Sequence, residues 1–289
     1  MPDIWTIRRL LQWTTDFFRR SGIPSPRLDA ELLLSHALNI TRLDLYLDPE
    51  RPVDEHERAD FREWVRLRAT RVPVAYLIGS KEFYSTAIHV EKGVLIPRPE
   101  TEILVDTVIH LVSMRSDIRI AELGVGSGCI TAALALNLPS AVFVATDRSR
   151  EALRIADANF VRLGVRNRVT LFESDWFDSF SPEHCGGFAV IVSNPPYIRS
   201  AILETLQPEI SRHEPSLALD GGPDGLSAYR NLIPRARDFL EQDGVIALEI
   251  GDDQGDAVSE LLDAAGYSGV TIVKDLSGRD RIATGRLNG

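Results

Sequence analysis

The chain has 289 residues, 44% hydrophobic and 26% charged, with a formal net charge of −10. That composition fits one large domain plus a small one, or two of middling size, and weighs against non-specific nucleic-acid binding, which needs Lys and Arg to neutralise phosphates. Two cysteines cannot build a disulfide framework, and six dispersed histidines lack the spacing of a tetrahedral zinc site, so a cytoplasmic protein without a metal is expected.

The opening "MPDIWTIRRLLQWTTDFFRR" reads as an amphipathic helix facing a core. It lacks a signal-peptide core, and no apolar segment is long enough to span a bilayer, so no membrane partner is expected. "SPRLDAELLLSHAL" repeats the helical period, with Leu28, Ala30, Leu33, Leu34, Ala37 and Leu38 near one face. In "HERADFREWVRLRA" the same face is Phe61, Trp64, Val65 and Leu67/Arg68. The arginines at 58, 62, 66, 68 and 71 lie among Glu57, Asp60 and Glu63, which makes a solvated face with local ion pairs; a small patch contacting a partner is the alternative. Pro73 is expected to close a small helical bundle over 1–73.

From 74 to 97 the pattern turns β-like, and a hairpin is expected with its break at Lys92-Gly93. "PRPETE" then opens a helix that continues as "ILVDTVIHLV", with Pro99 and two acids in the first turn. Beyond it, apolar runs at 118–123, 141–147, 168–174, 188–193 and 244–250 alternate with helical stretches near 128–137, 149–163, 225–241 and 255–265. Strands this apolar belong in a parallel sheet covered on both faces. The end, "SGVTIVKDLSGRDRIATGRL", has two strands and no room for a crossover helix, so its last strand must run antiparallel. The expected fold class is α/β: a Rossmann-like, seven-stranded sheet with a C-terminal antiparallel hairpin, similar to class I methyltransferases, plus a small N-terminal helical bundle. The expected division is 1–73, a hairpin linker at 74–97, and a catalytic domain at 98–289.

"AELGVGSGCITAALAL" joins the first sheet strand to a helix. Gly124, Gly126 and Gly128 let the backbone turn tightly and approach a ligand, with Val125 and Ser127 between them. A dinucleotide fingerprint would need a glycine at Cys129, and no Lys-Ser/Thr pair follows, so neither a pyrophosphate site nor a P-loop fits. Asp147, 23 residues after Gly124, ends the second strand, where a carboxylate accepts from both ribose hydroxyls. "SDW" ends the third, where Trp176 can pack on adenine. Alone, Asp147 is also a candidate helix N-cap and Trp176 a core residue. In this order, at successive strand ends, they read as an S-adenosylmethionine pocket.

The fourth strand, "FAVIVS", ends in Asn194-Pro195-Pro196-Tyr197. In such a sheet it lies beside the first, so Asn194 emerges near the methyl group. A nitrogen conjugated to a carbonyl or an aromatic ring is a weak nucleophile because its lone pair is delocalised. The Asn194 side-chain oxygen and the Pro195 carbonyl can accept its two hydrogens and aim that lone pair at the methyl, while Tyr197 offers a flat face to the planar group. Pro195 and Pro196 stiffen the turn. No conventional base is evident.

Here the chain resembles the HemK-type release factor glutamine methyltransferases. The likeness rests on "LDAELLLSHAL", "VLIPRPETE", "ELGVGSGCI", "SNPPYI", "EPSLALDGGPDGLSAYR" and "LEIGDDQG", and covers nearly the whole chain. It implies methyl transfer from S-adenosylmethionine to the side-chain N5 of glutamine in the Gly-Gly-Gln loop of a peptide chain release factor. It also implies that Gly124 to Gly128, Asp147, Trp176 and Asn194 contact the cofactor and that Asn194 to Tyr197 hold the glutamine. Glu122 stands where Asp is common, and Val125 where Thr is common. The N-terminal bundle is expected to dock the release factor, and the long 198–224 connection either covers the substrate or is a structural loop. A monomer without nucleic-acid partners is expected. The rivals are a ribosomal-protein glutamine methyltransferase, a DNA adenine methyltransferase and a non-catalytic module keeping the fold.

Overall fold

Thr6 caps the first helix, Ile7–Arg20 (α1), by accepting the Arg9 N–H on its hydroxyl. In the computed structural model, which describes residues 4–288, four more helices follow: Pro26–Ala37 (α2), Asp44–Leu47 (α3), Glu55–Ala69 (α4) and Val74–Ile78 (α5). Asp54 and Glu57 cap α4 reciprocally, each side chain accepting the other's backbone N–H at 2.8 and 3.0 Å. The core of this unit joins Ile7, Leu10 and Phe18 of α1 to Leu33 and Leu34 of α2 and Phe61 and Val65 of α4. Leu28, expected on the apolar face, is instead 42% exposed near the start of α2. Pro73 does not end the helical region: it precedes α5, where its missing N–H costs nothing. Val74, Leu77 and Ile78 pack on the helical core, so the compact unit runs to residue 80.

The hairpin follows as Ser80–Phe83 (β1) and Thr86–His89 (β2). Its turn is at Tyr84 and Ser85, with φ of 49° and 55°, and not at Lys92-Gly93. Neither residue is the Gly, Asn or Asp that a turn with two positive φ values usually carries, which is why the sequence pointed to the later glycine. A 3-10 turn, Pro99–Thr101, leads into Glu102–Val112 (α6).

The sheet unit then runs Arg119–Leu123 (β3), Cys129–Asn137 (α7), Val142–Asp147 (β4), Arg150–Arg162 (α8), Val169–Glu173 (β5) and Phe188–Ser193 (β6). After Pro208–His213 (α9) come Ser227–Ala236 (α10), Leu240–Glu249 (β7), Gly255–Ala264 (α11), Tyr267–Lys274 (β8) and Asp280–Leu287 (β9). The seven strands lie in the order β5-β4-β3-β6-β7-β9-β8, and β9 pairs antiparallel with both neighbours. β3 pairs in parallel with β4 on one side and β6 on the other, so the chain reverses direction across the sheet there. All six residues of β6 are buried, as its apolar run requires. Its last residue, Ser193, donates to the Leu123 carbonyl at 2.6 Å and fastens the ends of β3 and β6 together.

Residues 207–213, which include α9, belong to the helical unit. Glu209 accepts from Arg68 at 2.7 Å and from Arg71 at 2.8 Å, and Arg68 also donates to Asp29 at 2.7 Å. Arg68 is 5% exposed, so it is a buried cation needing both carboxylates and not part of a solvated helix face.

Candidate active site

The site grows from the carboxyl ends of β3, β4 and β6. Gly124 and Val125 both donate to the Thr146 carbonyl, at 2.9 and 2.8 Å, which folds the glycine turn back on β4. Gly124, Gly126 and Gly128 have φ of 76°, 53° and 80°, a region that other residues enter at a cost. Gly126 has open space where a side chain would project. Gly128 does different work: a Cβ there would lie 2.8 Å from Phe160 of α8, so its absence lets α7 and α8 pack closely.

Asp147 closes this turn. Its carboxylate accepts the Gly126 N–H at 3.0 Å and the Ser149 N–H at 2.9 Å, one on each oxygen. Burial raises its pKa, and the two N–H bonds oppose that rise. The cap of α8 is Ser149, whose hydroxyl accepts from Ala152, so Asp147 is not that cap. Each carboxylate oxygen keeps a second lone pair for a ligand hydroxyl.

A cavity of about 330 Å³ opens beside this turn. Gly124, Val125, Gly126, Ser127, Asp147 and Trp176 line it, with Asn194 and Pro196 at the end of β6. Gly128, Pro195 and Tyr197 do not line it. Tyr197, expected to face the substrate, instead packs on the sheet core and donates to Glu249 Oε1 at 3.3 Å. The rigid Pro-Pro pair carries the chain past the cavity mouth and turns the ring inward.

Several residues of the site were given no role in the sequence reading. Thr101, in the turn before α6, is 2% exposed and accepts the Asn194 Nδ2–H at 3.2 Å. Glu122, on β3, accepts the backbone N–H of Thr131 at 2.9 Å and the Thr131 hydroxyl, and burial pushes its pKa up to about 8. Glu214 accepts the Ile96 N–H at 3.1 Å and pairs with Arg98 at 2.6 Å, seating the segment from which Pro215, Leu217 and Ala218 line the cavity.

The turn after Asn194 is clamped from behind. Gln254 donates to the Tyr197 carbonyl at 3.0 Å and the Gly225 carbonyl at 3.2 Å, while accepting the Gly251 N–H at 2.9 Å. Ile198 donates to Leu219 and Gly221 donates back to Ile198, at 3.0 and 2.8 Å. A Cβ on Gly221 would lie 2.8 Å from the Pro196 carbonyl oxygen. These contacts explain "GGPDG" and Gln254: the backbones approach too closely for side chains. Their only signal was membership of the motifs "EPSLALDGGPDGLSAYR" and "LEIGDDQG".

The lining suits an adenosyl group attached to a sulfonium: a carboxylate for ribose hydroxyls and an indole at the wall, while of its two arginines, Arg98 and Arg148, the first is paired with Glu214. Asp147→Ala is expected to weaken S-adenosylmethionine binding about 10- to 100-fold, by loss of charge-assisted hydrogen bonds. Calorimetry checks this, and unchanged affinity would remove the ribose assignment.

Two family models match the chain: the PrmC N-terminal domain over residues 9–79 and the methyltransferase small domain over residues 99–210. The release factor glutamine methyltransferase of Caulobacter vibrioides is 41% identical over 98% of this chain and 98% of its own length. That of Geobacter sulfurreducens is 40% identical over 99% and 98%. In fold, the chain is similar to a methyltransferase from Pyrococcus furiosus, with TM-score 0.52 and 22% identity over 70% of this chain and 89% of that one. It is similar also to the hMettl16 catalytic domain, with TM-score 0.57 and 15% identity over 83% and 84%. With the glycine turn, Asp147 and Asn194 around one cavity and full-length identity of this degree, the chain belongs to the release factor glutamine methyltransferase family.

Proposed function

We infer that the protein transfers a methyl group from S-adenosylmethionine to the side-chain N5 of the glutamine in the Gly-Gly-Gln loop of a peptide chain release factor. One observation carries the reading: Asn194 enters the same cavity as Gly124–Ser127 and Asp147, with its NH2 held by Thr101. That leaves Asn194 Oδ1 to accept one N–H of an incoming carboxamide. The Pro195 carbonyl, on the same turn but outside the cavity lining, is the proposed acceptor of the other.

When bound, S-adenosylmethionine would supply a methyl group from a positively charged sulfur, the S–C bond breaking and the sulfur leaving as a neutral thioether. The part of this chain is orientation. Two acceptors fix the glutamine amide plane, and the clamp of Gln254 and the glycine loop keeps those acceptors from drifting. As the new N–C bond forms, the nitrogen gains positive charge, and Asn194 Oδ1 and the Pro195 carbonyl stabilise it as oriented dipoles. The alkylated nitrogen is then acidic enough to release its proton to solvent.

The helical unit is the proposed docking surface for the release factor, with Trp13, Leu43, Tyr46 and Leu47 exposed on it. We propose action as a monomer in the cytoplasm. Among the described residues no helix is long and apolar enough to cross a membrane. The deciding experiment offers isotopically labelled S-adenosylmethionine with a purified release factor, a ribosomal protein or DNA, and locates the label by mass spectrometry. Label on the release-factor glutamine is expected. Label confined to the ribosomal protein or to DNA would overturn the reading.

A further inference from the structure

Asn194 can serve as an acceptor only if its amide is the right way round. Turned by 180°, it would present NH2 to the substrate's own N–H, and two donors would face each other. Thr101 meets the Nδ2 end at 3.2 Å. A hydroxyl has one proton to give, so the group that takes the Thr101 proton decides what Thr101 offers Asn194.

The candidate is Glu249, at the end of β7 and 1% exposed. Its Oε1 accepts from Tyr197 at 3.3 Å. Its Oε2 is buried without a hydrogen-bond partner, and the Thr101 hydroxyl is close enough to lower the carboxyl pKa. An ionised carboxylate only accepts. It therefore draws the Thr101 proton toward itself, leaving Thr101 as an acceptor toward Asn194.

We propose that Thr101 and Glu249 are positioning residues that hold the Asn194 amide with Oδ1 toward the methyl-accepting nitrogen, a role that rests on the reading of Asn194 given above. Neither is a catalytic residue: they act through Asn194.

The relay depends on the charge of Glu249. Burial raises its pKa to about 7, against the Thr101 and Tyr197 hydroxyls and Arg281 of β9, which lower it, while Glu100 raises it. Tyr229 of α10 and Cys129 of α7 also lie within its field. Below that pH the carboxyl carries a proton and can donate to Thr101. Thr101 is then free to donate to Asn194, and the preference for one amide orientation is lost. Methyl transfer should therefore fall as pH drops through about 7.

The test uses the full chain, a purified release factor and the variants Thr101→Val, Thr101→Ser and Glu249→Gln. Thr101→Val is expected to lower kcat about 10- to 100-fold, while S-adenosylmethionine affinity by calorimetry stays within about threefold. Thr101→Ser, which restores the hydroxyl, should recover most of the rate. In the free protein, the side-chain NH2 signal of Asn194 in an amide NMR spectrum should move with a midpoint near pH 7 and stop moving in Glu249→Gln. Full activity of Thr101→Val, a Thr101→Ser no better than Thr101→Val, or an unchanged titration of the Asn194 signal in Glu249→Gln would each overturn the proposal. A wild-type protein inactive on the release factor would instead overturn the substrate assignment, and the NMR titration would still decide the relay.

Discussion

Replacing Asn194 with Ala is expected to lower kcat about 10²- to 10³-fold, the cost of removing one preorganised dipole from a site of charge development. Truncation takes away Oδ1, the proposed acceptor of one amide hydrogen, and leaves the Thr101 hydroxyl without its donor. The glycine turn and Asp147 hold together without Asn194, through bonds to Thr146, Gly126 and Ser149. Cofactor affinity should therefore change by no more than about threefold. Single-turnover kinetics and calorimetry on the same variant check both halves. Near-normal turnover would defeat the orientation mechanism outright.

Gly225→Ala should damage both stability and rate, although Gly225 does not line the cavity. Its φ is +79°, and an added Cβ would overlap the Tyr197 carbonyl oxygen and lie 2.7 Å from Gln254 Nε2. Neither can yield: the carbonyl belongs to the turn bearing Asn194, and Gln254 is 4% exposed and bonded on both sides. Overpacking costs about 1–3 kcal/mol, and left-handed backbone on a residue with a side chain adds about 1–2 kcal/mol. A fall in Tm of roughly 5–15 °C follows for a unit of this size. If the turn shifts by about 1 Å to relieve the overlap, kcat should fall about 10²-fold. Thermal melts and kinetics well below the new Tm separate the two effects. A normal rate there would mean that the turn keeps its place without the glycine loop.

The two variants mark how differently parts of the site could be read in advance. Asn194 announced itself because an amide, two prolines and a tyrosine make little sense as the mere end of a buried strand. Gly225 looked like any loop glycine. What it approaches, the Tyr197 carbonyl, lies 28 residues away in the chain and becomes a neighbour only when α10 packs on the sheet.

Tyr197 shows the converse. A ring beside Asn194 suggested a substrate platform, yet hydrophobic burial and the Glu249 carboxylate compete for it, and the core took it. Arg68 likewise read as one of a row of surface arginines. It is buried because Asp29 and Glu209 meet it, and Glu209 is 141 residues away.

By itself, the order of residues determined the α/β class, the reversal of the last strand, the glycine turn with its acid, and the Asn-Pro-Pro-Tyr turn beside them. Each follows from short-range sterics or from the period of apolar residues, which a linear chain displays directly. Only the tertiary structure decided that Thr101 and Glu249 stand behind Asn194, that Gln254 ties the turn to the glycine loop, and that residues 207–213 join the helical unit. Those arrangements depend on which buried donor finds which buried acceptor, a match settled by packing across the sheet and invisible to any local window.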